Sequence, residues 1–221
     1  SDIPTQFTIF KTDETREGAR LETLGTFIEA SRVAFERTRW ALRYEYKLSR
    51  CAEGALCDAA SGEIPIPGLP REEQEIQISS LTPSFFWDDR DDPFNPRRGS
   101  YASLSIEWAE PFRQATAHFL KGYAQGAWYQ PIGERSELVG SLRLGLIEPL
   151  ADESVIGRVP FSERFVSGGE TSHRAFGLDE LGIEGETLVC VAEGEIIPCT
   201  RDQRIVPIGG NALALINVEY R

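Results

Sequence analysis

Residues 39–48 read Arg39-Trp40-Ala41-Leu42-Arg43-Tyr44-Glu45-Tyr46-Lys47-Leu48. Trp40, Leu42, Tyr44, Tyr46 and Leu48 fall on one parity, and Arg39, Arg43, Glu45 and Lys47 on the other. Successive side chains of a β-strand point to opposite faces, so this pattern sets an aromatic and aliphatic face back to back with a charged one. The stretch predicts a strand.

The same alternation recurs on both sides of it. Upstream, 6–12 and 19–31 are strand candidates, separated by the polar KTDETREG. Downstream, 74–88 ends in Phe85, Phe86 and Trp87. In 100–110, Ala102, Leu104, Ile106 and Trp108 oppose Tyr101, Ser103, Ser105 and Glu107. In 116–130, Leu120, Ala124 and Trp128 oppose Lys121, Tyr123 and Gln125; in 136–148, Leu138, Leu142, Leu144 and Leu146 oppose Ser141 and Arg143. The last segment, 209–221, sets Ala214, Ile216, Val218 and Tyr220 against Asn217, Glu219 and Arg221. Eight strands result, most of ten residues or more.

Their connections are unequal. The turn at 88–99, DDRDDPFNPRRG, has the Asp, Pro, Asn and Gly chemistry of a tight reversal. Residues 51–73 form a Gly- and Pro-rich loop, and 150–208 a much longer one. Within the latter, 160–176 (PFSERFVSGGETSHRAF) is neither alternating nor helical, and it carries Gly168, Gly169, Arg174 and Phe176. Long loops in otherwise short-turned β proteins are commonly functional.

Composition narrows the class. No run approaches the roughly 18 apolar residues of a spanning helix. The net charge of -12 speaks against a nucleic-acid partner, which calls for a basic patch. The 221 residues include no Met, so the chain reads as a piece of a longer protein. The four cysteines fall in two close pairs, Cys51 with Cys57 and Cys190 with Cys199, both placed in Gly/Pro-rich stretches rather than strands. Zinc would prefer closer spacing and His partners, and the two histidines, His118 and His173, lie elsewhere. Two local disulfides in an oxidising compartment are expected. Asp88, Asp89, Asp91 and Asp92 lack EF-hand spacing, so no metal is expected there. No nucleophile–base arrangement has supporting context, and neither an enzyme nor a cofactor is expected.

Long strands with one apolar and one polar face, short turns at one end and long loops at the other fit an antiparallel up-and-down transmembrane β-barrel. A soluble β-sandwich also alternates, but accounts poorly for charged faces opposite continuous Leu/Trp/Tyr faces on consecutive strands.

Three ordered motifs, WDDRDDPFNPRRG, PFSERFVSGGETSHRAF and the closing GGNALALINVEYR, together resemble the BamA/TamA family of bacterial outer-membrane assembly barrels. The resemblance covers the chain from about residue 74, and more loosely from 19. It implies about half of a sixteen-stranded barrel, from about its fifth to its twelfth strand. POTRA domains and the seam strands would lie outside residues 1–221. The loop 150–208 would fold back into the lumen. Its tip, His173, Arg174, Ala175 and Phe176, matches the family's Val-Arg-Gly-Phe/Tyr, with Ala175 departing from the family Gly. Arg174 would meet an acidic inner wall, with Glu219 as one partner. Phe165, Gly168 and Gly169 resemble the loop core. Asp88, Arg90, Asp91, Asp92, Pro93, Asn95, Pro96 and Gly99 match a periplasmic hairpin of structural role.

The resemblance also implies a bacterial outer-membrane location. Its partners would be outer-membrane lipid, unfolded outer-membrane clients, and accessory lipoproteins reached through POTRA domains. Protein insertion or translocation is the function expected. A dedicated exporter or passive pore on the same barrel is the alternative, and a soluble extracellular β-sandwich binding module the third reading.

Overall fold

In the computed structural model the described residues are 3–16, 19–53, 75–109, 117–133, 136–150, 159–169, 172, 175, 181–183, 188–192, 195–197 and 205–221. Strands β1 (Thr5–Arg16), β2 (Ala19–Phe35), β3 (Thr38–Glu53), β4 (Glu75–Asp88), β5 (Gly99–Ala109), β6 (Phe119–Pro131) and β7 (Glu137–Pro149) follow one another as an antiparallel meander. Three short strands, β8 (Leu188–Ala192), β9 (Glu195–Ile197) and β10 (Ile205–Pro207), precede β11 (Ala212–Tyr220). β11 pairs directly with β7, making an eight-stranded sheet with β1 and β11 at its edges. The long loop is therefore an insertion between two hydrogen-bonded neighbours.

The register carries the alternation across the whole sheet. Trp40 pairs with Phe85, Phe85 with Leu104, Leu104 with Ala124, Ala124 with Leu144 and Leu144 with Ala214. These residues share the outer face, where Trp40 is 53% exposed and Ile216 75%. The buried hydrophobic side chains of this sheet lie on the opposite face, where Ile78, Ala109, Phe119 and Ile147 pack with Ala117 and with Val159 of the loop. A water-soluble sheet buries its most continuous apolar face; here that face is the exposed one. This is the arrangement of a transmembrane barrel wall, with apolar residues towards lipid and polar ones towards the lumen.

Three expectations need correction. Most of KTDETREG is strand rather than connection, because β1 runs on to Arg16 in register with β2 and leaves only 17–18 between them, and Asp13 accepts two hydrogen bonds from Arg20 at 2.9 and 2.5 Å. Backbone pairing outlasts the apolar pattern there, since beyond the lipid band both faces meet water. For the same reason β3 reaches Glu53 and carries Cys51, while Cys190 lies buried in β8; neither cysteine sits outside the strands. Finally, the stretch 150–208 is not all loop. Its Leu188-Val-Cys-Val-Ala192 run forms the middle of a three-stranded sheet ordered β10-β8-β9.

Connections 36–37, 89–98 and 132–136 fall at one end of the sheet, and 54–74, 110–118 and the long loop at the other. The short link 17–18 also lies at the long-loop end, contrary to a strict division of short and long.

Candidate functional site

The loop docks on the inner wall through a short segment that begins at Pro160. Proline presets φ, here -54°, and a 3-10 turn follows over Phe161–Glu163, closed by the Glu163 N–H donating to the Pro160 carbonyl at 2.8 Å. The turn buries Phe161 and Glu163 together. Glu163 Oε1 lies 2.7 Å from Nζ of Lys47 on β3, and Oε2 lies 3.1 Å from Nζ of Lys121 on β6. Lys121 also donates to the Glu163 main-chain oxygen at 2.9 Å. Glu45 and Glu107 stand 3.3 and 3.9 Å from Lys47.

A lone carboxylate buried at this depth would be strongly disfavoured. Burial pushes the Glu163 carboxyl up, but the charges of Lys47 and Lys121 and their hydrogen bonds outweigh it and hold it at about 2. The loop base is thus a fixed anion set between two wall cations.

Phe165 completes the docking. Its ring stacks on Tyr123 at 6.1 Å between centroids, under the Lys121 ammonium at 5.4 Å. Its backbone exchanges two hydrogen bonds with Gly210, at 2.9 and 2.8 Å, and so ties the loop to the root of β11. Gly168 and Gly169 both take positive φ, 127° and 85°, which favours glycine. The Ser172 hydroxyl accepts from the Gly168 N–H at 2.8 Å and donates to the Gly168 carbonyl at 2.7 Å. Of the expected loop core, Phe165 thus docks on the wall and on Gly210, while Gly168 and Gly169 form a turn closed by Ser172.

Of the expected tip, Ala175 is exposed, whereas His173, Arg174 and Phe176 lie outside the described residues. Ser172 and Ala175 line a cavity of about 610 Å³ together with Tyr101, Arg143, Glu219 and Arg221. Glu219, on the inner face of β11 opposite Val139, accepts from Arg221 at 3.1 and 2.9 Å.

The hairpin Asp88–Gly99 is held by its own carboxylates. Asp88 accepts a forked pair of bonds from Arg90 at 2.9 and 2.7 Å, and Arg90 also donates to the Pro93 carbonyl at 3.1 Å. Asp91 Oδ1 accepts from the N–H groups of Asp92, Arg97 and Arg98 at 3.0, 3.0 and 3.1 Å. These bonds, first those from Arg98 and Arg97, hold the Asp91 carboxyl below its usual range. Asp92 accepts from Phe94 at 2.8 Å and from Asn95 at 3.3 Å, so the Pro93-to-Pro96 reversal is fixed by side chains. The aspartates serve the turn, and no group of metal-binding side chains forms among the described residues. Cys51 and Cys190 are both disulfide-bonded, while Cys57 and Cys199, their expected partners, lie outside the described residues.

Sequence reasoning missed Glu163, Lys47 and Lys121 as a site. Both lysines were assigned to the polar face, and a signal was present: cations facing inwards on two strands need a carboxylate, and the loop motif supplies one.

The family model described as the Omp85 superfamily domain matches residues 5–221. The chain belongs to that superfamily. Among solved structures it is similar to the crystal structure of BamA from Haemophilus ducreyi lacking POTRA domains 1-3, at 16% identity and a TM-score of 0.72. The likeness covers 98% of this chain and 41% of that one, so the chain spans less than half of the BamA structure's length. The shared architecture is that of a partial BamA-type barrel. No curated protein matches.

Proposed function

We propose that this chain is part of the barrel of a bacterial outer-membrane factor that inserts or translocates proteins. The observation that carries the reading is the loop base, a buried carboxylate held by two wall lysines inside a sheet whose apolar face points outwards. Superfamily membership supports it.

The work would be non-covalent. A client strand entering lipid needs partners for each backbone N–H and C=O. A barrel whose seam opens offers a free strand edge for pairing, beside a locally thinned bilayer. The docked loop would brace the wall while the seam opens. In this reading Arg174 reaches into the cavity that Ala175 and Glu219 both line, and its planar guanidinium pairs with the Glu219 carboxylate. The partners are outer-membrane lipid and unfolded clients, with accessory lipoproteins engaged through POTRA domains elsewhere in the whole protein.

Depleting the whole protein in its own cell and quantifying the other outer-membrane barrels tests this. A joint fall of those barrels, with the lipid of the membrane intact, is the expected result. Steady barrels with loss of a single secreted product would replace insertion by dedicated export.

A further inference from the structure

We infer that Glu163 is a positioning residue that staples a weak line in the barrel wall, between β4 and β5, by joining Lys47 of β3 to Lys121 of β6. The inference rests on the barrel reading above but not on any particular client.

The weak line is visible in the register. Between β5 and β6 the partners run without a break from Gly99↔Tyr129 to Ala109↔Phe119, and between β3 and β4 from Thr38↔Trp87 to Arg50↔Glu75. Between β4 and β5 they run Ser80↔Ala109 and Leu81↔Trp108, then resume only at Ser84↔Ser105. The gap contains Pro83, which has no N–H to donate to a ladder. Interrupted pairing lets one half of a sheet bend against the other.

Lys47 and Lys121 stand on opposite sides of that line. Their strands are three inter-strand spacings apart, about 14 Å in the hydrogen-bonding direction. No ladder joins β3 to β6, yet one carboxylate holds both ammonium groups, at 2.7 and 3.1 Å. Glu107, on β5 beside the gap, lies 3.9 Å from the same Lys47, so a second ion pair crosses the line in the same direction. With Glu45 at 3.3 Å from Lys47, the cluster contains three carboxylates and two ammonium groups. Glu163 enters a site already holding two carboxylates, and it is stable there only while both lysines reach it. Docking of the loop and curvature of the wall are then one event: the loop base fits only a wall bent enough to bring the two lysines together.

The test uses the whole protein reconstituted in a lipid bilayer. Spin labels go on Leu42→Cys of β3 and Leu120→Cys of β6, both exposed on the outer face, and their separation is read by pulsed electron resonance. A narrow distribution is expected with Glu163 present. Glu163→Gln should broaden it and move it to longer distance, and Lys121→Met should do so to a smaller extent. Lys121→Arg, which keeps the charge, should restore the narrow form. Amide exchange should rise along β4 and β5 in the first two variants and stay unchanged between β6 and β7, which general destabilisation would not produce. If Glu163→Gln fails to assemble, Lys121→Met, which leaves the Lys47 pair, carries the measurement. Unchanged distances in the assembled variants would overturn the staple and leave the barrel standing. A protein that forms no barrel in the bilayer would overturn the barrel reading and the staple with it.

Discussion

The ring of Phe165 occupies the space a side chain at Gly145 would need: a Cβ at that position would stand 2.4 Å from Cζ of Phe165. Gly145 lies on the inner face of β7, between its partners Tyr123 and Leu213. Glycine usually weakens a strand interior, and here it forms the floor of a socket. Gly145→Ala is expected to push the ring off Tyr123 and loosen the loop base, at a cost of about 1–3 kcal/mol typical of overpacking. Gly122→Ala is the control, since nothing lies within 4 Å of a Cβ there. Protease protection of the loop in intact membranes should fall for the first and hold for the second.

The ion cluster gives a sign to the pH dependence of docking. The Glu163 carboxyl titrates at about 2 when docked, against an ordinary value of 4.5. The docked state therefore binds fewer protons, and its stabilisation is complete above 4.5 and lost as pH falls from there through about 2. Loop protection is expected to be flat from neutral pH down to about 5 and to decline only below that. In Glu163→Gln the decline attributable to this carboxyl should vanish. A midpoint near neutrality would show that another group governs docking.

Much of the wall was legible because lipid imposes a pattern on every residue of a spanning strand. Trp40, Leu42 and Tyr44 announce an outer face, and the cross-strand partners repeat it. Where lipid ends the constraint ends too, and Asp13, Glu14 and Thr15 read as a loop although their backbones pair with Arg20 to Glu22. The loop core was partly legible because Gly168 and Gly169 mark a conformation few other residues adopt. Glu163 was legible only as a carboxylate that inward-facing lysines would need, not as the partner of these two. Its partners are 42 and 116 positions away, on strands that do not touch each other, and no local periodicity records such a meeting.

At the other end of the sheet, the hairpin depends on Gly99. Its φ is 101°, and a Cβ would stand 2.2 Å from the Asp89 carbonyl oxygen. Gly99→Ala should cost at least the roughly 1–2 kcal/mol of a left-handed non-glycine residue. Asp91→Ala should release the N–H groups of Asp92, Arg97 and Arg98 without moving the strands. Amide exchange at Arg97 and Arg98 measures both; slow exchange in Asp91→Ala would mean the turn is held by its backbone alone.

Because Cys51 and Cys190 are both disulfide-bonded, neither should react with an alkylating reagent until a reductant is added. Peptide mapping of the unreduced whole protein is expected to join Cys51 to Cys57 and Cys190 to Cys199, the pairs that lie close in sequence. A crossed pairing would tie the β3 end of the wall to the loop sheet and require a different account of how the loop is secured.

The proposed pairing of Arg174 with Glu219 makes a demand that single substitutions cannot meet. Arg174→Ala and Glu219→Gln should each lower assembly activity of the whole protein, yet either change also perturbs a neighbour, since Glu219 already accepts from Arg221. A double-mutant cycle isolates the pair: if the two groups act together, losing both should cost little more than losing one. A coupling of about 1–3 kcal/mol is expected for a charge-assisted bond of this kind. Arg221→Gln is the necessary companion, because a cycle between Arg221 and Glu219 measures the contact already present. Additive losses for Arg174 and Glu219, with coupling confined to Arg221, would place the tip elsewhere in the cavity and leave the loop held by its base alone.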